Sequence, residues 1–523
     1  MTTHRLAHRS LDDHLRASQR NSVSLQFARV AATQRDNVAL KYAERTWTYA
    51  RLNQAITVAA LQLRELGLQP GDRVAVMGKN SDTFLILFFA ASRARLIHVP
   101  INFALTGPEL QYLLDDSQAS VTIVDDEYLE TVESISGRNS SRHVLSMSAI
   151  LEHLQSKIEH NQDVPTGLSD DLDSAEETDL AQLLYTSGTT SAPKGAMLTH
   201  RALLAHYNGT IPALDLTRSD NPLIAMPLYH SAALHVFMTP YLFLGATIRL
   251  LRVPDIAEIL QRIEKEHIGS LFLAPTVWVP LSQHPDLASR DLSSLKKAQY
   301  GASIMPVTVL QRLREQYPEI GFYNCFGQSE MAPLCTVLRP EEHDHRPASA
   351  GRPIPTVQLR VADPDTGQPV ASGTQGEVQY RSPQLFSGYW NKPEQTEEAF
   401  IDGWFRSGDL VVMDDEGYIE VVDRIKDVIN TGGVLVASRE VEDVLYRHEA
   451  VSEVAVVGRK HDKWIEQVTA VIVLKDTHRK TTADEIREFS RQYLARHKVP
   501  GHIEFTDELP RNQSGKLLKR KLK

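Results

Sequence analysis

The segment Tyr185-Thr-Ser-Gly-Thr-Thr-Ser-Ala-Pro-Lys-Gly places five small hydroxyl side chains beside a glycine and a lysine. Hydroxyls and free backbone N–H groups supply many donors, and Lys194 adds a positive charge. That equipment suits a loop wrapped around a polyphosphate. It is not the P-loop pattern, because Pro193 precedes the lysine and Gly195 follows it. A Ser/Thr-rich surface linker is the plain alternative, but a linker is rarely wedged between an apolar strand and a helix. A second cation, Lys516, follows Ser514-Gly515 near the carboxyl end, where a flexible turn can project one ammonium into a cleft.

The elements around these residues set the fold. The apolar runs Val74–Met77, Ile97–Pro100, Val121–Val124 and Leu180–Tyr185 alternate with helical patterns at Asp82–Ala94 and Glu109–Asp116. Such alternation predicts an α/β domain with a mostly parallel sheet. A helix is expected from about Thr199-His200, and strands at Leu223–Met226, Ala246–Leu251 and Leu271–Ala274. From Asn221 to Ile248 only His230 and His235 are ionisable, but Pro222, Pro227 and Pro240 interrupt the stretch. Buried strands and a core helix fit it better than a membrane span. Beyond Asp423 a compact αβ unit follows. It has a helix Arg439–His448 capped by Ser438, strands Glu453–Val457 and Val468–Leu474, and a helix from Ala483 to about Leu494. The fold class is therefore α/β, a large N-terminal domain over 1–423 and a small mobile α+β domain over 424–523.

Composition excludes several functions. Lys and Arg number 56 against 66 Asp and Glu, a formal net charge of −10 that argues against a nucleic-acid surface. Two cysteines make no disulfide framework and fit a reducing compartment. The polar amino terminus lacks the apolar core of a signal peptide, so a cytoplasmic location without integral membrane contact is expected. His343 and His345 lie in a Pro- and Glu-rich stretch without metal-ligand spacing and read as loop residues. Taken alone, Asp423 and Asp427 read as surface charges that only their context lifts, and Lys519, Arg520, Lys521 and Lys523 read as a solvated chain end.

Five segments in order resemble those of the adenylate-forming enzymes, the superfamily of acyl-CoA synthetases, peptide-synthetase adenylation domains and firefly luciferase. The resemblance runs from about Thr46 to the carboxyl end. In the loop, Thr186, Ser187, Gly188, Thr189, Thr190 and Lys194 match the nucleotide-binding signature, with Ser191 where glycine is usual. In Tyr323-Asn-Cys-Phe-Gly-Gln-Ser-Glu, the resemblance implies that Glu330, with Thr186, holds Mg²⁺ through oxygen. Ser329 would donate to the α-phosphate, and Asn324, Cys325 and Phe326 would lie beside the adenine and acyl group. It further implies that Asp409 accepts from both ribose hydroxyls, that Arg424 also reaches the ribose, and that Lys426 is the hinge. Gly432 and Gly433 match glycines that let a pantetheine arm pass. After them this chain has Val434-Leu-Val-Ala-Ser where many members have Glu-Asn-Ile and a proline before the helix. Lys516 matches the lysine that bridges the carboxylate and the α-phosphate.

The implied reaction is an acid:CoA ligation with ATP, Mg²⁺ and CoA, through an acyl-adenylate, with catalytic Lys516, Glu330, Lys194 and His230. His230 resembles a ring near the carboxylate, although a backbone-satisfied core histidine reads nearly as well. Trp278, Gly301, Ala302 and Phe326 are expected to line an apolar acid pocket. Tyr300-Gly-Ala-Ser and Phe326-Gly-Gln-Ser-Glu look most like bacterial fatty-acyl-CoA synthetases, a resemblance that favours a medium- or long-chain fatty acid, with aryl or cinnamic acids next. Transfer to a carrier protein or amine, and a homodimer, stay open. A non-catalytic binding protein is the least favoured class.

Overall fold

The computed structural model describes residues 18–105, 107–136, 143–159, 172, 174–186, 192–303, 305–431, 434–461, 464–511 and 517–523. The parallel alternation read from the sequence builds a six-stranded sheet. Its order is His143–Ser146, Val121–Val124, Arg73–Met77, Ile97–Ile101, Leu180–Thr186 and Lys194–Thr199, parallel except for the last, antiparallel pair. Strands buried on both faces need apolar residues throughout, and Ile97–Ile101 is buried at every position. Helix Asp82–Arg93 is buried along its whole length. Phe27, Phe84, Phe88 and Phe89 share its core, and Ser81 caps its N-terminus by accepting from the Phe84 N–H.

A nine-stranded sheet forms the second layer, with Ser270–Leu273, Lys297–Gly301 and Gly321–Gly327 side by side and parallel. The stretch 221–248 becomes strand Pro222–Ile224, a π-helix Ala232–Met238, helix Thr239–Leu244 and strand Ile248–Leu250. Among the described residues no helix is long and apolar enough to cross a membrane. A five-stranded, mainly antiparallel sheet holds Gln375–Arg381, Trp404–Met413 and Ile419–Arg424. The smaller C-terminal domain has its own sheet of Ile429–Thr431, Val434–Val436, Val451–His461, Ile465–Leu474 and His502–Phe505. Its separate core includes Val441, Leu445, Val456, Ile472 and Ile486.

Three local expectations are corrected. Helix Ser438–Leu445 begins one residue earlier than expected, with Ala437 at the cap position, so Ser438 is not its N-cap. The Ser438 N–H and hydroxyl instead both donate to Asp423 Oδ2, at 2.6 and 2.7 Å. Asp423 is therefore no surface charge but 7% exposed, because three donors satisfy it, the third being the Arg424 N–H. Lys519 is likewise not solvated: its ammonium pairs with buried Glu442 at 2.8 Å. The loop reading of His343 holds; its imidazole is buried between the Tyr300 hydroxyl and the Arg339 carbonyl.

Candidate active site

A strand that the sequence reading missed, Lys194–Thr199, intervenes between the hydroxyl-rich segment and the helix that begins at His200 as expected. Thr186 ends one strand, and Lys194 opens the next opposite it. Ser187, Gly188, Thr189, Thr190 and Ser191 lie outside the described residues, but both flanks are braced. Tyr185 donates to Asp116 at 2.7 Å, and Tyr112 donates to the Pro193 carbonyl at 3.0 Å. Asp116 also pairs with Lys392 at 2.8 Å, and its carbonyl accepts from the Trp390 indole at 3.1 Å. Burial and Asp116 together push the Tyr185 phenol up, so it remains a donor.

The segment Phe386–Trp390 runs along the outer edge of strand Lys194–Thr199. Trp390 N donates to the Gly195 carbonyl, Ser387 N to that of Met197, and Met197 N to that of Gly388. This places Tyr389 between two expected site residues. Its hydroxyl donates to Glu330 Oε1 at 3.0 Å, and its ring lies 4.8 Å from the Lys194 ammonium. Phe386 N bonds the Glu330 carbonyl at 2.8 Å and holds the turn Ser329–Met331 to the same edge. Burial, then Glu330, push the Tyr389 phenol up, so it stays protonated. Sequence reasoning missed Tyr389; Phe386-Ser-Gly-Tyr-Trp, an aromatic cluster around Gly388, was the available signal.

The structure brings Asp409 and Arg424, the two residues expected at the ribose, together. They face each other across neighbouring strands and make a 2.5 Å ion pair. Asp409 is 4% exposed. Gly408 before it has φ +74°, a conformation that favours glycine and accompanies a ladder irregularity just after Asp409. Asn324 donates to the Ser349 carbonyl at 2.9 Å. Cys325 is buried, and burial pushes its thiol up, which removes it as a nucleophile. Gly301 is a site of close approach: a Cβ there would stand 2.2 Å from the Cys325 carbonyl oxygen. Ala302 follows, exposed and at φ +64°. Half-buried His230 accepts from the Ala232 N–H at 3.2 Å, at the start of the π-helix.

Trp278 is not brought to this group. Its indole donates to the Gln299 carbonyl at 3.0 Å, and its ring packs on Phe322 in a separate apolar core. Lys426 sits in the turn Ile425–Asp427, its carbonyl accepting from the Lys523 ammonium. Gly432, Gly433 and Lys516 lie outside the described residues.

The donor set fits Mg²⁺ and a nucleotide. Glu330 and Thr186 offer hard oxygen ligands, and among the described residues no group of three or more His, Cys, Asp or Glu could hold a metal. Mg²⁺ is commonly bound by one or two carboxylates together with substrate phosphates. Two residues before Glu330, the buried Gln328 Nε2 has no hydrogen-bond partner among the described residues and is free to meet a polar ligand.

Residues 27–390 match the AMP-binding enzyme model, and residues 440–516 match the AMP-binding enzyme C-terminal domain. The chain belongs to the AMP-binding enzymes. It is 37% identical over 481 residues to a feruloyl-CoA synthase of an Amycolatopsis species, covering 92% of this chain and 94% of that one. A long-chain-fatty-acid–CoA ligase of Salmonella typhimurium is 32% identical, covering 95% and 93%. The structure of the anthranilate CoA ligase AuaEII with anthranoyl-AMP superposes with a TM-score of 0.87 at 26% identity, covering 96% of each chain. This AMP-binding enzyme is an AMP-forming acid–thiol ligase that joins a carboxylic acid to CoA through an acyl-adenylate, using ATP and Mg²⁺.

Proposed function

We propose that the acid is aromatic, of the aryl or cinnamic class. One observation carries this reading: the floor beneath Gly301. Gly301 and Cys325 stand opposite each other at the carboxyl ends of adjacent parallel strands, where ligands of open α/β sheets bind. Two residues earlier on the same face come Gln299 and Tyr323, in register with Phe272. Phe272 stacks on Phe237 of the π-helix at 4.6 Å, and neither ring is more than 5% exposed. At a rise of about 3.3 Å per residue, that floor lies only about 7 Å below Gly301. A flat ring fits such a depth, whereas an extended alkyl tail would have to displace the stacked rings. The feruloyl-CoA synthase relative supports the same class. A fatty acid is the second reading, favoured by the long-chain-fatty-acid–CoA ligase relatives.

In this reading the carboxylate attacks the α-phosphorus of ATP and pyrophosphate leaves. Both reactants are anions, so the barrier is largely electrostatic. Lys516 bridges the carboxylate and α-phosphate, and Lys194 balances phosphate charge. Thr186, the hydroxyl-rich loop and Ser329 donate to the phosphates, and Asp409 with Arg424 holds the ribose. Asn324, Cys325 and Phe326 flank the adenine and acyl group, and His230 stands near the carboxylate. Glu330 and Thr186 would hold Mg²⁺, which would neutralise phosphate charge when bound. Tyr389 orients Glu330 and keeps Lys194 over its ring. In the second step the CoA thiol attacks the activated carbonyl and AMP leaves. The small domain, 424–523, turns about Lys426 between the steps, withdrawing Lys516 and presenting Gly432-Gly433 to the thiol channel.

The test is CoA-dependent AMP formation over ferulate, cinnamate, benzoate, octanoate and palmitate. The aromatic reading expects kcat/KM to be highest for an aromatic acid. A tenfold preference for either fatty acid overturns it.

A further inference from the structure

We infer that Asp423, Ser438, Glu442 and Lys519 form a latch that holds the small domain in one of its two working orientations. Asp423 stands on the large domain's antiparallel sheet, opposite Leu410, and the next residue, Arg424, stands opposite Asp409. Ser438 opens the first helix of the small domain. The Asp423 carboxylate accepts the Ser438 N–H and hydroxyl on Oδ2 and the Arg424 N–H on Oδ1. It thereby does for this helix what an N-capping side chain does, but from a different domain. The Lys519 ammonium donates to the Ser438 hydroxyl and pairs with Glu442 Oε1, which also accepts the Val456 N–H. Beside the latch, the Arg439 guanidinium donates to the Val421 carbonyl.

Three stretches of chain meet here: the strand that carries the ribose pair, the helix that opens the small domain, and the tail three residues past Lys516. Asp423, Ser438 and Glu442 are each no more than 8% exposed, so breaking their bonds strands polar groups away from water. Burial alone would lower the Lys519 ammonium, but Glu442 and Asp423 outweigh it and hold it charged.

A rotation about residues 424–426 leaves Asp423 with the Trp404–Met413 strand and carries Ser438 and Lys519 away. The latch can therefore close in only one orientation, and its strength biases the partition between the two half-reactions. A proline at position 438 would have neither the N–H nor the hydroxyl that Ser438 donates to Asp423, so it would remove both bonds at once. The inference rests on the two-step ligase reading and adds the residues that set the balance between steps.

Ser438→Pro is the decisive variant. The position is the first of a helix, where proline is tolerated, and Ala437 before it is already extended at φ −69° and ψ 120°. Single-turnover rates are measured for adenylate formation and, from supplied acyl-adenylate, for thioester formation. The ratio of the two rates should change by about fivefold, the effect of losing one to two net hydrogen bonds. Lys519→Met should shift the ratio in the same direction. A ratio unchanged within about twofold, with both rates falling together or neither moving, overturns the latch. A readout independent of the reaction separates this from failure of the ligase reading. Spin labels at Asp415→Cys and Glu488→Cys, both exposed, report the distance between the domains in the ligand-free protein. Cys325 and Cys335 are buried and do not compete for label. Ser438→Pro should shift or broaden that distance distribution. An unchanged distribution refutes the latch whatever the acid.

Discussion

Lowering the pH should destabilise the large domain through its buried imidazoles, and His98 isolates the effect. His98 has no exposed surface; its Nδ1 meets the Gln182 amide at 3.1 Å, and its ring sits among Phe84 and Phe88. Gln182 Oε1 bonds His235, whose other nitrogen bonds Tyr207 at 2.7 Å. Burial, with His235 nearby, pushes the His98 imidazole down to about 3, whereas the unfolded chain restores about 6.5. The folded state therefore keeps this ring neutral while the unfolded state takes up a proton below about pH 6.5. Its contribution to stability is complete above that pH and is lost as pH falls toward 3. Between pH 7.5 and 5.5, one such ring costs ~1.4 kcal/mol. His235, pushed down to about 3, and His200, to about 4, cost the same amount each over this window. The perturbation is His98→Asn, which retains an acceptor toward Gln182 but cannot titrate. Guanidinium unfolding at the two pH values gives the loss for each protein, and packing defects cancel because they act at both. The variant should lose ~1.4 kcal/mol less than the wild type. An equal loss in both proteins would show that His98 is protonated in the folded state or never titrates on unfolding, and would refute the reasoning.

Tyr389→Phe keeps the ring under Lys194 but leaves Glu330 without its donor; carboxylate-dependent pyrophosphate release should slow about tenfold while KM for CoA stays unchanged. Asp409→Asn removes a buried charge from Arg424, so KM for ATP should rise at least about tenfold in steady-state assays. An unchanged KM would remove Asp409 from the ribose site. Gly301→Ala forces a methyl toward the Cys325 carbonyl oxygen. It should cost ~1–3 kcal/mol in denaturant unfolding and lower kcat/KM for the acid more than for ATP.

The parallel sheet and the separate C-terminal αβ unit were legible because they depend on local pattern, whereas the antiparallel sheet of Gln375–Arg381, Trp404–Met413 and Ile419–Arg424 was not read from the sequence. Apolar runs such as Ile97–Ile101 must be buried on both faces, and a hydroxyl-rich loop after an apolar strand declares itself by composition, although the strand Lys194–Thr199 that follows it was not read. Tyr389 was not legible, because it reaches Glu330 only through the pairing of Phe386–Trp390 with the edge of Lys194–Thr199, about 190 residues away in sequence. The Asp423 and Lys519 readings failed for the same reason. A charge looks solvated in a sequence unless its partner is near in the chain, and Asp423 finds Ser438 across a domain joint while Lys519 finds Glu442 across a folded core. Trp278 was misplaced because an aromatic residue near a site segment gives no sign of which face of the sheet it takes; its hydrogen bond to Gln299 and its packing on Phe322 decided that. Residue type and periodicity are local properties, so the chemical groups and many of the elements that carry them could be read along the chain. Which charges are buried and which groups meet depends on how the sheets and domains pack, so it emerged only once the chain was folded.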